Sequence, residues 1–225
     1  MSYKNTIKKF GAIAAVAIMS TFTQAYAATL IDFTSDNSSP VWYGNSLGCG
    51  GGCTLGYQFN VSSALTIDGL GVYDADSNGL NNSHDVGIWN SGGGLLASVT
   101  VGPGSSNAIA SASGTGDFVY GDIGSLLLSA GDYIVGALFS NGDTDAVVFD
   151  AGGIFSNDAR ASYTRLAFVN NAAITLPNQF STSSDRYFGA GMRISAVPVP
   201  AALPLFGTGL AVLGFMGWRR KRRAA

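Results

Sequence analysis

The residues best suited to chemistry are Asp74-x-Asp76-x-Asn78-Gly79-x5-Asp85. With the Leu80 carbonyl and the Asn82 side chain, this run follows the order of donors in a calcium-binding loop. Calcium takes several hard oxygens arranged about a sharp turn, and Gly79 supplies the turn. Ca2+ is therefore the cofactor the pattern would take, through Asp74, Asp76, Asn78, Leu80, Asn82 and Asp85. Two features depart from the template. Asp85 closes the loop where a longer Glu is usual, and the flanks read as strands rather than helices. Asp, Asn and Gly also make turns without any metal, so both readings stand.

Other reactive side chains are few. Cys49 and Cys53, separated by three glycines, are the only cysteines. In an oxidising compartment they are expected to form a local disulfide, which on the chain-entropy view stabilises only modestly because the loop is short. Zinc at this pair would need two further ligands, and one histidine in the chain makes that a poor fit. That histidine, His84, has no Gly-x-Ser-x-Gly elbow to serve, and its place beside the Asp74–Asp85 loop suits a structural hydrogen bond. A glycosidase would need one acid/base pair of carboxylates, but fourteen Asp residues are spread along the chain with no pair singled out. No catalytic constellation emerges, and the chain is not expected to be an enzyme. Trp42, Tyr43, Trp89 and Tyr187 are candidates for stacking on sugars, although most aromatics of a sandwich belong to its core.

The elements that would position these residues are strands. Hydrophobic residues are 47% of the 225, enough for a sizeable core, and 31 glycines with scattered Asn, Asp and Ser punctuate short apolar runs. Strands are expected at 29–34, 55–61, 65–73, 85–90, 95–101, 117–122, 132–139, 146–149, 162–169 and 187–194. In 132–139, Tyr133, Val135, Ala137 and Phe139 alternate onto one face. Residues 102–116 read as a small-residue loop rich in Gly, Ser and Ala. The fold class is all-β: an antiparallel β-sandwich, jelly-roll-like, over residues 28–196.

Charge is segregated. Between 28 and 196 there are four arginines and no lysine against all fourteen acids, every one an Asp. A field of that sign repels nucleic acid, so no nucleic-acid partner is expected. The basic residues gather at the ends. Lys4, Lys8 and Lys9 precede an apolar run from Phe10 to Met19, and Ala25-Tyr26-Ala27 offers the small-x-small pattern cut by signal peptidase. Residues 1–27 thus read as a signal peptide with its cleavage site at Ala25 and Ala27. At the other end Val197-Pro198-Val199-Pro200 is stiffened by proline, and Ala201–Trp218 carries a single polar side chain, Thr208. As a helix this stretch is about 27 Å long, enough to cross the membrane. Arg219, Arg220, Lys221, Arg222 and Arg223 follow and hold that end in the cytoplasm.

The Pro-x-Pro pair, the glycine-containing apolar helix with Leu205-Phe206-Gly207-Thr208-Gly209-Leu210, and the basic cluster together resemble the PEP-CTERM sorting tail over residues 197–225. Val199 stands where the namesake pattern has Glu. The resemblance implies an exosortase-type membrane enzyme as partner, with the tail as its substrate. It also implies an inner-membrane-anchored precursor that is then passed to the cell surface or extracellular matrix. The middle of the chain resembles an uncharacterised β-sandwich module found ahead of such tails. The carrying residues are Gly79-Leu80, His84-Asp85-Val86-Gly87-Ile88-Trp89, Leu95-Leu96-Ala97-Ser98, Leu126-Leu127-Leu128, Ala130-Gly131-Asp132-Tyr133 and Tyr187-Phe188-Gly189. The expectation is an exported, surface-sorted, non-enzymatic protein of the envelope or matrix that packs as a structural unit or binds exopolysaccharide. The alternatives are a secreted polysaccharide hydrolase and a plain single-pass membrane anchor.

Overall fold

The computed structural model describes residues 27–35, 51–148, 151–181 and 189–195. Residues 1–26 of the expected signal peptide, the whole 197–225 tail, Trp42, Tyr43, Cys49 and Tyr187 lie outside the described residues. Every regular element among the described residues is a strand, and all belong to one compact unit, Tyr26–Ala196. The strands are β1 (Ala28–Thr29), β2 (Ile31–Ser35), β3 (Gly52–Val61), β4 (Leu65–Asp74), β5 (His84–Asn90), β6 (Leu95–Val101) and β7 (Ala108–Ala110). They continue with β8 (Asp117–Leu128), β9 (Gly131–Ser140), β10 (Gly152–Ser156), β11 (Ala161–Asn170), β12 (Gln179–Ser181) and β13 (Ala190–Ile194).

All pairings are antiparallel. One sheet runs β1-β13-β4-β8-β7, a second β12-β11-β3-β9-β5-β6, and β10 pairs with β2 alone. Side chains of both larger sheets meet in a single core: Leu70, Val72, Phe118 and Tyr120 from the first, Tyr57, Val86, Ile88 and Val135 from the second. The arrangement is consistent with a β-sandwich. Phe33, Tyr73 and Phe118 pack edge-on or tilted at the centre, with centroids 5.0, 5.1 and 6.1 Å apart, the geometry that aromatic quadrupoles favour.

A bulge keeps β4 apolar side inward. Leu65 and Ile67 are buried, then β4 takes one extra residue against β13, with Ile67 opposite Ile194 and Gly69 opposite Arg193, and Leu70 and Val72 are buried beyond it. Without the extra residue, the period of two would turn one half of the strand outward. Arg193 of β13 lies beside this bulge and donates to Asp68 Oδ1 and Asp122 Oδ1, each at 2.7 Å.

Several expected strands differ from the observed ones: 29–34 is divided between β1 and β2, 117–122 extends to Leu128 in β8, and β10 and β12 fall where none was expected. Of the strand expected at 146–149, Val147 and Val148 form bridges, and residue 149 lies outside the described residues. Just before it, Asp143 Oδ1 accepts the Asp145 N–H at 2.9 Å and Gly142 has φ 83°, so side-chain hydrogen bonding and a left-handed residue turn the chain after β9. The 102–116 loop contains β7, and Gly104 bridges Leu80 through both of their backbone groups. Its far end is fastened to β2, where the buried Asp32 accepts from Ser111 Oγ at 2.7 Å and from the Ala112 N–H at 3.0 Å. The strand expected at 187–194 is described over Ala190–Ile194.

Trp89 is only 5% exposed and offers no open face to a sugar. It lies over Gly87, whose place would bring a Cβ within 2.6 Å of the indole. Gly87, Gly136 and Gly56 are cross-strand partners on β5, β9 and β3, and this smooth row also seats Pro177.

Candidate functional site

β5 and β9 are antiparallel neighbours, with Val86 opposite Ala137. That register sets His84, the first residue of β5, beside the end of β9, where its ring meets Phe139 at a centroid distance of 4.9 Å. After β9 the chain turns, with the Asp143 N–H donating to the Ser140 carbonyl at 3.1 Å. The turn returns Asp143 and Asp145 to the histidine, and all three are buried: His84 is 0% exposed, Asp143 4% and Asp145 5%. A second loop, Asn81–Asn82, closes the cluster from the other side.

Asp145 is saturated with donors. Oδ1 accepts the Asn81 N–H at 2.7 Å and the Asn81 amide at 3.0 Å, while Oδ2 accepts the Asn82 N–H at 2.7 Å and faces His84 Nε2 at 3.0 Å. The Asn82 side-chain oxygen in turn accepts from the Thr144 N–H and hydroxyl, at 3.2 and 2.9 Å. The two loops are thereby laced together across roughly sixty residues of sequence. Burial would raise the Asp145 carboxyl, but the hydrogen bonds from His84, Asn81 and Asn82 outweigh it and hold the group below its ordinary value.

Asp143 is served differently. Its Oδ1 is used by the Asp145 N–H, but its buried Oδ2 has no hydrogen-bond partner and stands 3.5 Å from His84 Nδ1. Burial raises the Asp143 carboxyl above its usual range. A buried carboxylate oxygen left unserved costs about 1–3 kcal/mol or more. His84 Nδ1 also faces the Leu138 carbonyl oxygen at 3.0 Å. Both ring nitrogens thus point at groups that only accept, so positive charge must lie on each side of the ring. Burial alone would lower the His84 pKa. The hydrogen bond to Asp145, the Asp143 charge and the Leu138 carbonyl prevail and raise it.

His84, Asp143 and Asp145 form a group that can hold a metal ion, each offering one ligand atom within 4.8 Å of the others. It is the one such group of three or more His, Cys, Asp or Glu side chains among the described residues.

The run expected to bind calcium is divided by the fold. Asp74, at the end of β4, is buried, and its Oδ2 accepts the Gly79 N–H at 2.7 Å, while Asp76 Oδ2 accepts from the Asn78 amide at 2.5 Å. These three residues share one turn, with Ser77 and Gly79 at φ 54° and 98°. Burial, and the nearby Asp76 carboxylate against the relief given by Gly79, raise the Asp74 pKa. The remaining donors are drawn elsewhere. The Leu80 carbonyl accepts the Gly104 N–H at 2.8 Å, Asn82 reaches Thr144, and Asp85 Oδ1 accepts from Thr100 Oγ1 on β6 at 2.6 Å.

Cys53 is disulfide-bonded, while Cys49 lies outside the described residues. Ala27 is exposed at the start of the described chain. Sequence reasoning assigned His84 a structural hydrogen bond but did not reach Asp143 or Asp145. Their only local signal is Asn141-Gly142-Asp143-Thr144-Asp145, a turn-like run 61 residues from His84 at Asp145. Comparison with protein-family models, curated proteins and solved structures finds no match.

Proposed function

We propose that this chain is an exported, surface-sorted, non-enzymatic protein of the cell envelope or extracellular matrix. Its jelly-roll-like sandwich serves as a structural or polysaccharide-binding unit. The observation that carries the reading is the burial of the only histidine, 0% exposed, against a buried Asp145 whose oxygens are spent on internal hydrogen bonds. Residue types that would serve acid–base chemistry are here used to fasten loops, out of reach of a polymeric substrate. The disulfide at Cys53 supports an oxidising destination. The two ends supply the address: signal peptidase at Ala25 and Ala27, then an exosortase-type enzyme acting near Val197-Pro198-Val199-Pro200.

Intact mass spectrometry of the mature protein tests the sorting. An N-terminus at Ala28 and loss of the Arg219–Arg223 cluster are expected; a retained basic tail would instead leave a plain membrane anchor. For the hydrolase alternative, exopolysaccharide is incubated with the purified protein, and turnover abolished by a single Asp substitution would overturn the non-enzymatic reading. Calcium at the Asp74–Asp85 loop belongs to the same proposal and draws on the turn that gathers Asp74, Asp76 and Asn78. An unfolding midpoint that ignores both added calcium and Asp76→Ala would remove it.

A further inference from the structure

We propose that a divalent cation of the zinc class binds between His84 Nδ1, the Leu138 carbonyl oxygen and Asp143 Oδ2, with Asp145 orienting the ring from behind. Three observations converge on the point between these atoms. Nδ1 and the Leu138 oxygen face each other at 3.0 Å, and the Asp143 oxygen stands 3.5 Å from the same nitrogen. That oxygen belongs to a side chain 1% exposed and has no hydrogen-bond partner. A proton on Nδ1 satisfies the Leu138 carbonyl and leaves the Asp143 oxygen unserved, because one N–H makes one good hydrogen bond. A cation satisfies all three at once.

Asp145 fits the supporting part for a reason of its own. Its two oxygens already take four donors, so it has little left to give a metal. It accepts the Nε2 proton, which fixes the tautomer that leaves the Nδ1 lone pair free. A carboxylate behind a ligating histidine also raises the basicity of the ring. The donor set is one imidazole nitrogen and two oxygens, which suits zinc better than calcium, since calcium takes oxygen ligands. The cation joins β5, β9 and the loop after β9 through three protein atoms, which leaves a fourth position for water, and its effect is read as stability. The proposal is independent of how the protein is sorted or what polymer it meets.

The test uses the full chain produced with its own export signal and purified without chelator. Elemental analysis is expected to find roughly one zinc per chain. After chelation and dialysis, added Zn2+ alone should raise the unfolding midpoint by several degrees. Asp143→Asn, nearly the same in shape, should abolish most of that rise, whereas Asp76→Ala should keep it. Nitrogen-15 NMR of the His84 ring should show Nδ1 without a proton in the zinc-loaded protein. Zinc content near zero with no midpoint response, an Asp143→Asn variant that responds like the unaltered chain, or a doubly protonated ring in the presence of zinc each overturns the proposal. Should Asp143→Asn fail to fold, zinc content and the ring spectrum of the unaltered chain still decide it.

Discussion

Two acidic groups meet near the start of β5, one contiguous in the sequence and one assembled by the fold. The Asp74–Asp85 run contains its donors at a recognisable spacing, yet only Asp74, Asp76 and Asn78 stay in one turn, while Leu80, Asn82 and Asp85 bond to Gly104, Thr144 and Thr100. The His84–Asp143–Asp145 cluster has no sequence spacing to recommend it, yet its members are buried together, the two carboxylates 3.5 and 3.0 Å from the ring. A local pattern of oxygens can be met by turn formation alone, whereas polar groups buried by long-range packing must find partners or destabilise the fold. The second region therefore carries the greater energetic consequence.

The largest expected effect follows from His84→Ala. Removing one partner of a buried, hydrogen-bonded charge pair costs about 3–5 kcal/mol. In a denaturant titration of the full chain, the midpoint should fall accordingly; a loss no greater than that of Asp76→Ala would erase the contrast between the regions. Asp145→Ala strands the donors of Asn81, Asn82 and His84, and an effect of about 3 kcal/mol is expected from the same measurement. Asp74→Ala removes one buried acceptor from the Gly79 N–H, for about 1–2 kcal/mol. Burial raises the Asp74 carboxyl, so part of the lost hydrogen bond is offset by relief of a poorly solvated charge. Asp76→Ala, on the exposed part of the same turn, should change stability by about 0.5 kcal/mol or less. If it matches Asp145→Ala, the turn is more than a turn.

The smallest effect comes from outside both regions and calibrates them. Asp158 is held below the usual 3.8 by hydrogen bonds from the Arg160 side chain and backbone. A carboxylate lowered in the folded state contributes stability above its unfolded value, and that contribution is lost as pH falls through the folded one. Arg160→Ala should therefore cost a little stability at neutral pH, small because the pair is partly exposed, and almost none well below pH 3.8, which flattens the stability–pH curve. A large loss at neutral pH would show that this surface pair carries structural importance.

The strands were legible where apolar alternation ran unbroken. The expected 95–101 coincides with β6, and 132–139 differs from β9 by one residue at each end. Before the expected strand at 146–149, of which Val147 and Val148 bridge and residue 149 lies outside the described residues, Gly142, Asp143 and Asp145 turn the chain. β7 and β12, of three residues each, exist because a longer strand beside them offers free backbone groups, and no pattern of that length can signal it. Trp89 was read as a possible platform because its sequence neighbours do not reveal that it lies over Gly87, on the sheet where Gly136 and Gly56 run alongside.

By itself the sequence determined the all-β class, the acidic middle and the turn at Asp74–Gly79. Each depends on residues close together along the chain, through alternation, charge or turn chemistry. Only the tertiary structure decided which acids meet the histidine. Asp145 reaches His84 across 61 residues because β5 and β9 are neighbours in register, and burial there leaves Asp143 Oδ2 in want of a partner. Pairing register and burial are properties of the assembled sheets, and no spacing along the chain encodes them.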